Sequence, residues 1–459
     1  MTQALIFTAD AVLTMDDANS VICGGAVLVE DGRIGAVGPL DALKAAHPHI
    51  AVKALPNTVL MPGLVNAHAH SGFLRGTAEH LPVWDWLTLH INPMHRVLQP
   101  HEAETASWLC YAESVLGGTT TVVDMWRYMD GSARAAEAIG NRLVAVPYVG
   151  EHPDYDYFDT LDMNEALIES WHRKAGGRVN VWVGLEHLFY ADEPAQRRAV
   201  EMAKRHGTGF HTHCSEAEIE LAEFQKRYGK RPMFVLDDLG FFETPRAMIA
   251  HAVWLDQAEV DLIAKRPVSV AHNPVSNMKL ASGIAPIAEM LAAGVPVGIG
   301  TDGEKENNNF DMFEEMKVAS LLGKLKHLDA AAMDSWQVLR MATILGAKAI
   351  GLDHEIGSIE VGKRADMIAV RNDTPRMTPF FPEGPYFNLQ HNLVHAVRGG
   401  DVSMTMVDGR ILVEGGLLKT ANLTDIIAEI HAVAPGLFAR RAAYLAEHET
   451  GTKQWTAES

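Results

Sequence analysis

The sequence predicts an α/β protein, a distorted (β/α)8 barrel of the TIM type joined to a small β-sandwich that both chain ends build. Two observations support this prediction. Short β-branched runs alternate with longer helical stretches across the middle of the chain, and one hairpin pattern occurs near each terminus. The 459 residues, 47% of them hydrophobic, are enough for one large domain and a smaller companion.

The two chain ends share the hairpin pattern. AVLVEDGRIGAVG has Asp31-Gly32 between two apolar runs, and SMTMVDGRILVEGG has Asp408-Gly409 in the same setting. Asp-Gly between such runs indicates a two-residue hairpin turn. Because chain termini often lie close together, we expect residues 1–58 and 355–420 to form one β-sandwich. Residues 421–459 have a helical pattern and are expected to form a C-terminal helical tail packed on the outside.

Residues 59–354 contain eight β-branched runs, each followed by a candidate helix or connection. Eight β-α units in roughly 300 residues fit a closed (β/α)8 barrel. A doubly wound sheet is the alternative, but its first strand should lead into a Gly-rich phosphate turn. Here the first strand leads into NAHAH. The runs are VLMPGL (59–64), TTTVVD (119–124), RLVAVPY (142–148), VNVWVG (179–184), TGFHTH (208–213), AMIAH (247–251), VSVAH (268–272) and VPVGIGTD (295–302).

Charge and cysteine content argue against several classes of protein. The formal net charge of −19 disfavours a nucleic-acid or anionic-membrane surface, since phosphate binding needs clustered Lys and Arg. No run approaches the roughly 20 apolar residues of a membrane helix, and the N-terminus lacks a signal-peptide pattern. Three scattered cysteines form neither a disulfide framework nor a CxxC metal pair. We therefore expect a cytoplasmic protein without nucleic-acid or membrane partners.

Polar residues occur where the barrel strands are expected to end. The C-terminal ends of these strands meet on one face, where (β/α)8 enzymes have their active sites. Histidine stands at five of the eight strand ends, which is more than isolated rim histidines would explain. The strand-end residues are His68, His70, Asp124, Glu186, His187, His213, His251, His272 and Asp302.

His68 and His70 belong to the stretch VNAHAH. Residues i and i+2 of an extended segment share a face, so their imidazoles can bind one cation. Zinc or iron(II) prefers such nitrogen ligands, completed by a further histidine and a carboxylate. His213 and Asp302 are the natural third and fourth ligands. A water molecule would take the open position, where the metal lowers its pKa.

The sequence resembles the amidohydrolase superfamily, in its branch of aminohydrolases and chlorohydrolases. That branch includes S-adenosylhomocysteine/methylthioadenosine deaminases, s-triazine hydrolases and phenylurea hydrolases. A lone HxH is a weak signal, whereas a set of stretches in the family's order is specific. The resemblance implies a distorted (β/α)8 barrel with a two-ended β-sandwich. The matching stretches are PGLVNAHAHSGFLRGTAEHLPVWDWL, HTHCSEAE, IAHAVWL, AHNPVSNMKLASGIAPI, GIGTDGEKENNNFDMFEEM and GSIEVGKRADMIAV.

The resemblance also implies a metal site in this chain. One divalent cation would be bound, with Zn²⁺ expected and Fe²⁺ or Co²⁺ as alternatives. No Lys lies at the end of strand 4, where a two-metal relative would carry a bridging carbamylated lysine, so one metal is expected. His211 forms a second HxH with His213 and is interpreted as a neighbour that lines the barrel, because only His213 has Glu at +3. The implied ligands are His68, His70, His213 and Asp302.

Three residues would carry out catalysis. Glu216, spaced H-x-x-E after the third ligand, matches the family's proton-shuttling glutamate, and His251 matches the histidine that orients the hydrolytic water. Water would lose a proton to Asp302 and His251 and attack an electrophilic carbon, while Glu216 would protonate a ring nitrogen or the leaving group. The alternative for Glu216 is a carboxylate at a helix N-terminus, stabilised by the helix dipole.

The chain departs from nucleoside deaminases in the expected substrate region. His95 stands where a glutamate that grips ribose hydroxyls is expected. His187 would polarise or hydrogen-bond the substrate, and an aromatic wall would contact it, unless these rings only pack a loop. The candidate substrate-binding residues are His187, Trp84, Trp86, His95, Phe189 and Tyr190.

Two enzymatic functions remain open for a hydrolase of carbon–nitrogen bonds other than peptide bonds. The first is an aminohydrolase that releases ammonia from a heterocycle such as a purine, pterin or triazine. The second hydrolyses a urea, a thiocarbamate or a chloro- or amino-s-triazine. A non-catalytic scaffold is disfavoured, because the metal-binding and catalytic residues are all present. The substrate is expected to be a small molecule, and relatives of this kind, commonly dimers or larger, imply a homo-oligomer.

Overall fold

The computed structural model describes residues 4–81 and 83–448. The strands are β1 (Leu5–Leu13), β2 (Val21–Cys23), β3 (Gly25–Glu30), β4 (Arg33–Pro39), β5 (Ala51–Pro62), β6 (Leu64–His70), β7 (Thr119–Trp126), β8 (Arg142–Pro147), β9 (Val179–Val181), β10 (Val183–His187), β11 (Phe210–Cys214), β12 (Ala247–His251), β13 (Val268–His272), β14 (Val297–Ile299), β15 (Asp302–Gly303), β16 (Met367–Arg371), β17 (Val402–Val407), β18 (Arg410–Glu414) and β19 (Leu417–Leu418).

Helices cover the outside of the strands, and a π-helical turn at Leu87–Ile91 joins the second helix to the third. The helices are α1 (Leu40–Ala46), α2 (Val83–Trp86), α3 (Asn92–Val97), α4 (Pro100–Leu116), α5 (Met129–Ile139), α6 (Leu161–Trp171), α7 (Glu193–His206), α8 (Glu218–Tyr228), α9 (Pro232–Asp238), α10 (Gln257–Ile263), α11 (Pro274–Lys279), α12 (Ile287–Ala292), α13 (Glu304–Asn307), α14 (Met312–His327), α15 (Ser335–Met341), α16 (Ile344–Ala349), α17 (Leu389–His395) and α18 (Leu423–Glu447).

Strands from both chain ends form one nine-stranded sheet, in the order β19-β18-β17-β16-β5-β1-β3-β4 with β2 on the edge of β1. The two ends of the chain meet where β16 pairs antiparallel with β5, with Met367 opposite Pro62. The expected two-ended β-sandwich therefore takes the form of a single sheet. Its own apolar core includes Phe7 and Leu60 from the N-terminal part and Met404 from the C-terminal part.

Both Asp-Gly hairpin turns occur, and they contact each other. Asp31 and Gly32 have φ values of 47° and 77°, and Asp408 and Gly409 have 48° and 73°. Positive φ at both central residues is the geometry that favours Asp-Gly in a two-residue hairpin. A Cβ on Gly32 would lie 2.7 Å from the carbonyl oxygen of Asp408, so only glycine allows the two turns to approach this closely.

The barrel begins later than the sequence indicated. The run VLMPGL at residues 59–64 was expected to be its first strand, but Val59–Pro62 completes β5, pairing with β16 on one side and β1 on the other. The first barrel strand is β6, which begins at Leu64 and contains both histidines of VNAHAH. One apolar run supplies two strands because Gly63 separates them, and periodicity within the run does not mark that break.

The barrel consists of two parallel five-stranded sheets, β15-β6-β7-β8-β9 and β10-β11-β12-β13-β14. Two chain segments connect them. Trp182 alone separates β9 from β10, and Gly300 and Thr301 separate β14 from β15. The fourth and eighth strands of the ring are thus each shared between the two sheets, which makes eight barrel strands and distorts the barrel at these two places.

Asn66 supports the second of these connections. Its side-chain amide donates to Thr301 Oγ1 at 2.7 Å, and its Oδ1 accepts the backbone N–H of Thr301 at 3.1 Å. The same Oδ1 accepts from the backbone N–H of His68 at 3.3 Å. Asn66 therefore fixes the backbone of the first barrel strand to the chain that leads into Asp302.

The C-terminal helix α18 lies on the outside of the barrel. Arg440 on this helix donates to both carboxylate oxygens of Glu102 in α4 at 2.6 Å and to the backbone carbonyl of Val97. The expected tail at residues 421–459 thus has a helix in its described part, and residues 449–459 lie outside the described residues. Within residues 4–81 and 83–448, no helix is both long enough and apolar enough to cross a membrane.

Candidate metal centre and active-site pocket

Five buried side chains converge where the barrel strands end. His68 and His70 lie in β6, His213 in β11, His251 ends β12, and Asp302 begins β15. The backbone is left-handed at His251 and Asp302, with φ values of 72° and 60°. Such strain in non-glycine residues clusters at functional sites, where the surrounding structure holds it in place.

Three imidazole nitrogens and one carboxylate oxygen face a common point. The Nε2 atom of His213 is 3.1 Å from that of His70 and 3.1 Å from that of His68. Asp302 Oδ1 is 3.4 Å from His68 Nε2 and 3.3 Å from His70 Nε2. Ligand atoms bound tetrahedrally at about 2.0 Å from a zinc ion lie about 3.3 Å from each other. The spacing of these four atoms therefore suits one small divalent cation.

The hydrogen bonds on the far side of each ring fix its tautomer. His70 Nδ1 lies 2.6 Å from the carbonyl oxygen of Met125, and His213 Nδ1 lies 2.6 Å from that of Glu186. A carbonyl oxygen can only accept, so both Nδ1 atoms carry the proton and both Nε2 atoms present a lone pair.

His68 is oriented through a second imidazole. His211 Nδ1 donates to the carbonyl oxygen of Met248 at 2.8 Å, so His211 Nε2 must accept from His68 Nδ1 at 2.9 Å. His68 Nε2 then also presents a lone pair. His211 was interpreted only as a neighbour that lines the barrel, but its hydrogen bond selects the tautomer of His68.

The electrostatics of the cluster favour a bound cation. Burial lowers the pKa of His68, His70 and His213, so the three rings are neutral at neutral pH. Three lone pairs and a carboxylate oxygen at 3.1–3.4 Å repel one another unless a positive charge lies between them. The residues present thus fit a divalent metal ion.

Asp302 is held as a carboxylate. Ser276 Oγ donates to Asp302 Oδ2 at 2.6 Å, and Oδ1, which lies next to the histidines, accepts the backbone N–H of Gly303 at 3.0 Å. Burial alone would raise the pKa of Asp302, but the neighbouring His68 and the charge of His251 outweigh burial and lower the pKa well below its usual range. Ser276 was not identified from the sequence, although it belongs to the quoted stretch AHNPVSNMKL.

His251 and Glu216 lie side by side next to this cluster. His251 Nε2 is 3.8 Å from Glu216 Oε2 and 3.8 Å from Asp302 Oδ2, and His251 Nδ1 donates to Asn277 Oδ1 at 2.9 Å. Burial disfavours a charged His251 ring, but the carboxylates of Glu216 and Asp302 outweigh burial and raise its pKa. Burial also raises the pKa of Glu216, which keeps this carboxyl group protonated above the usual range.

The helix N-terminal role considered for Glu216 belongs to Glu220. Glu216 precedes α8, whereas Glu220 in its first turn accepts backbone N–H groups from Ser215 at 2.7 Å and from Glu216 and Ala217 at 2.8 Å. These are orphan donors of a helix start. The Glu216 side chain is left free of that role, and Ser282 Oγ donates to its carboxyl group at 3.1 Å.

A pocket opens next to the cluster, and we call it the site pocket. It combines the metal-site residues with carboxylates and an aromatic and aliphatic wall. Its lining residues are His70, Val83, Trp86, Leu87, Tyr148, Glu186, His187, Tyr190, His213, Glu216, Glu220, His251, Leu280, Asp302 and Glu306.

The candidate substrate-binding residues have different positions relative to this pocket. Trp86, His187 and Tyr190 line it. His187 uses both ring nitrogens within the protein, because Nδ1 accepts the N–H of Phe189 at 3.2 Å and Nε2 lies 3.2 Å from Glu220 Oε2.

His95 and Phe189 are not among the lining residues. The His95 ring stacks on Tyr148 with a centroid distance of 4.7 Å, and Phe189 packs against Phe224 with the Arg227 guanidinium 4.2 Å from its centroid. Tyr148, which the sequence did not single out, takes the lining position instead. The side chain of Trp84 lies outside the described residues.

A buried cluster of histidines and one aspartate at the C-terminal face of a (β/α)8 barrel is typical of metal-dependent hydrolases. A model of the amidohydrolase family matches residues 59–412, and one of an imidazolonepropionase-like composite domain of bacteria matches residues 25–49. The chain belongs to the amidohydrolase family, and it is a hydrolase that acts on carbon–nitrogen bonds.

Similar proteins cover nearly the full length of this chain. The 5'-deoxyadenosine deaminase of Methanosarcina acetivorans is 38% identical over 432 residues, 94% of this chain and 97% of that protein. The 5-methylthioadenosine/S-adenosylhomocysteine deaminase of Syntrophomonas wolfei is 36% identical over 428 residues, 92% of this chain and 97% of that protein. The crystal structure of an adenosine deaminase from Xanthomonas campestris with bound zinc aligns with a TM-score of 0.89 at 30% identity, covering 95% of this chain and 98% of that one. The predicted fold class is thereby confirmed.

Replacing His211 by Phe is expected to weaken metal binding by about 10- to 100-fold, because His68 loses the acceptor that fixes its tautomer. Competition with a fluorescent zinc chelator measures the affinity. The control is His272→Phe, since His272 is also a buried histidine at a strand end but contributes no ligand to the cluster. Equal affinity in wild type and His211→Phe would contradict the role of His211.

Proposed function

We propose that this protein is a zinc-dependent aminohydrolase, which replaces the amino group of a nitrogen heterocycle by oxygen and releases ammonia. The close approach of these side chains supports this proposal most directly, since His68 Nε2 and His70 Nε2 each lie 3.1–3.4 Å from both His213 Nε2 and Asp302 Oδ1. The deaminases of M. acetivorans and S. wolfei, similar over more than nine tenths of this chain, support ammonia as the product.

His68, His70, His213 and Asp302 would hold the metal ion. When bound, a divalent ion of this kind acts as a Lewis acid that lowers the pKa of water to near neutrality. Zinc is proposed because three imidazole nitrogens and one carboxylate oxygen are a common donor set for it. The residues described below would carry the proton transfers.

His251 and Asp302 would take the proton that water loses when its oxygen attacks the amino-bearing carbon. Their acceptor atoms lie 3.8 Å apart, on the same side of the cluster, so one water can contact both. Glu216, whose pKa is raised by burial, would supply a proton to the ring nitrogen next to that carbon.

The balance of atoms requires one water for each turnover. Water oxygen forms a bond to the ring carbon, and the carbon–nitrogen bond to the amino group breaks. Of the two water protons, one ends on the departing amino group as ammonia and the other on the hydroxylated ring or its keto form. Glu216 returns to its protonated state and therefore acts as a shuttle.

Ammonia release from candidate substrates tests the proposal. Metal-free protein reconstituted with zinc is expected to release ammonia from 5'-deoxyadenosine, adenine, guanine or a related aminoheterocycle, and zinc-free protein is not. Organic amine is scored separately with arylureas and N-alkylaminotriazines. Release of amine without any ammonia would contradict the deaminase function and support the alternative hydrolase.

Three further proposals concern organisation. We retain the division into a barrel and a β-domain, with the boundary moved from residue 59 to residues 62–64 where β5 gives way to β6. A cytoplasmic location and a homo-oligomeric state stay predictions. Size-exclusion chromatography with light scattering would measure the oligomeric state.

A further inference from the structure

A short acidic helix follows Asp302 and is buried against the site pocket. This helix, α13, contains Glu304, Lys305 and Glu306, whose residue exposures are only 1%, 3% and 4%. Charged side chains are almost never buried to this extent unless they are paired. Their contacts therefore show which of them serve the fold and which face the site.

Two of the three charged groups make contacts that serve the fold, although Glu304 Oε2, like one oxygen of Glu306, is buried without a hydrogen-bond partner among the described residues. Glu304 Oε1 accepts the backbone N–H of Leu74 at 2.9 Å, which ties down the loop after the first two metal-site histidines. Lys305 Nζ pairs with Glu306 Oε1 at 3.0 Å and lies 6.0 Å from the centroid of the Trp86 ring. Glu304 thus supports a loop, and Lys305 neutralises part of the charge of Glu306.

Glu306 differs from Glu304 in its position, because Glu306 lines the site pocket and Glu304 is not among the lining residues. Glu306 Oε2 is buried and has no hydrogen-bond partner among the described residues, and Glu306 lines the site pocket together with His70 and Asp302. A Cβ on Gly303 would lie 2.2 Å from this oxygen, so the carboxylate folds back over the glycine next to Asp302. Glycine at position 303 leaves the space that the Glu306 carboxylate occupies.

A second carboxylate with a free oxygen lines the same pocket. Glu186 Oε1 accepts the hydroxyl proton of Tyr148 at 3.1 Å, while Glu186 Oε2 is buried without a partner among the described residues. Burial raises the pKa of the Tyr148 phenol, and the charges of Glu186 and Glu306 raise it further, so both carboxylates lie within electrostatic range of this ring. Tyr148 therefore stays protonated and donates only to Glu186.

We propose that Glu306 and Glu186 determine substrate specificity by accepting hydrogen bonds from N–H groups of a compact, neutral or cationic nitrogen heterocycle. This inference rests on the proposed aminohydrolase function and names the substrate class of the same site. A buried acceptor without a partner is costly, and a ligand N–H would satisfy it. The aromatic rings of Trp86 and Tyr190 line the same pocket and suit a flat heterocycle.

The protonation of these carboxyl groups bears on the substrate class. Burial raises the pKa of Glu306 to about 8 and that of Glu186 to about 7, so near neutral pH either group can hold a proton and still present an acceptor oxygen to a neutral heterocycle. A ribose hydroxyl could also donate to a carboxylate, but N–H donors belong to the heterocycle that must reach the metal site. The test therefore separates ring N–H groups from ribose hydroxyls.

The test compares parent and methylated bases. Zinc-loaded wild type and Glu306→Gln are assayed with guanine, 1-methylguanine, 9-methylguanine and 5'-deoxyadenosine, and Glu186→Gln is assayed in parallel. Wild type is expected to prefer guanine over at least one methylated base by about 10- to 100-fold, and Glu306→Gln is expected to lose that preference through a higher KM. The role of Glu306 would be overturned if wild type and Glu306→Gln preferred guanine over the methylated bases to the same degree. It would also be overturned if Glu306→Gln changed only the activity towards 5'-deoxyadenosine.

Glu304→Gln is the matched control, because Glu304 belongs to the same buried helix but supports the Leu74 backbone. It is expected to keep the preference of wild type. Zinc content and Tm report whether each variant is folded. If Glu306→Gln does not fold, the double variant Lys305→Met/Glu306→Leu, which removes the buried pair together, serves in the same comparison.

Binding measurements separate this inference from the proposed function. Isothermal titration of the same four compounds into zinc-loaded protein does not require turnover. Suppose that no compound yields ammonia, but wild type binds guanine and Glu306→Gln does not. This result would overturn the aminohydrolase function, while the proposal that Glu306 recognises N–H donors would stand. Absence of turnover together with binding that is unchanged in Glu306→Gln would overturn both.

Discussion

Replacing Glu216 by Gln is expected to lower kcat by at least about 100-fold while the protein keeps its metal ion. The Glu216 carboxyl lies 3.8 Å from His251 Nε2 and belongs to neither of the two groups that could hold a metal ion, His68 with His213 and His251 or His68 with His70 and Asp302. Gln has the same shape but cannot give up and regain a proton at neutral pH. Steady-state kinetics and zinc analysis of the same preparation measure the two quantities.

The pH profile gives a second measure of the same residue. Burial raises the pKa of Glu216, so its protonated, donating form persists above the usual range and is lost as pH rises through the raised value. The kcat of wild type is therefore expected to fall on the alkaline side, and Glu216→Gln is expected to lack that decrease. Near-normal kcat in Glu216→Gln, or an unchanged alkaline decrease, would remove Glu216 from the mechanism.

Removing a metal ligand is expected to have the largest effect of all. His213 Nε2 lies 3.1 Å from the Nε2 atoms of both His68 and His70. His213→Ala therefore removes one of the candidate ligand atoms from the centre of the cluster. We expect wild type to hold about one zinc ion per chain and His213→Ala to hold much less. We expect kcat/KM to fall by at least about 1,000-fold, since Lewis-acid activation of water contributes several kcal/mol.

Chelation of wild type is the control for His213→Ala. Zinc is expected to restore activity and raise Tm in the chelated wild type, because the cation binds only the folded cluster and relieves the repulsion among its lone pairs. The same addition is expected to change neither quantity in His213→Ala. Full zinc content with normal activity in the variant would contradict the assignment of His213 as a ligand.

Local pattern was sufficient for several parts of the fold. The two Asp-Gly turns, at Asp31 and Asp408, follow from the need for positive φ at both central residues, which is a property of the dipeptide itself. His68 and His70 share a face because alternate residues of a strand do so. The alternation of β-branched runs and helices predicted the barrel class for the same reason.

Other features depend on contacts between distant segments. Val59–Pro62 and β6 form one apolar run, and pairing with β16, some 300 residues away, assigns the first part to the β-domain. The hydrogen bond from His68 to His211 spans 143 positions, and that from Asn66 to Thr301 spans 235. The local periodicity of a sequence does not indicate partners at such distances. For this reason the sequence predicted neither the hydrogen bond of His211 to His68 nor the contacts of Asn66.

The substrate region shows the same division. The sequence supplied Trp86, His187 and Tyr190 as wall residues, and all three line the site pocket. It also indicated His95, whose ring instead stacks on Tyr148, and it gave no reason to select Glu306 from the stretch TDGEKE. The unpartnered oxygen of Glu306 can be identified only when the burial of its neighbours and the ion pair with Lys305 are known.

The sequence by itself determined the chemical composition of this protein's site, because residue type and strand spacing decide which donors can share one face. It therefore predicted the barrel class, which is confirmed, and the candidate metal-site histidines with Asp302, while the resemblance to the amidohydrolase superfamily pointed to Glu216 three residues after His213. Only the tertiary structure decided the tautomers, the Ser276 and His211 contacts and the free oxygens of Glu186 and Glu306. Those depend on burial and on hydrogen bonds between segments far apart in the chain, which folding alone brings within reach.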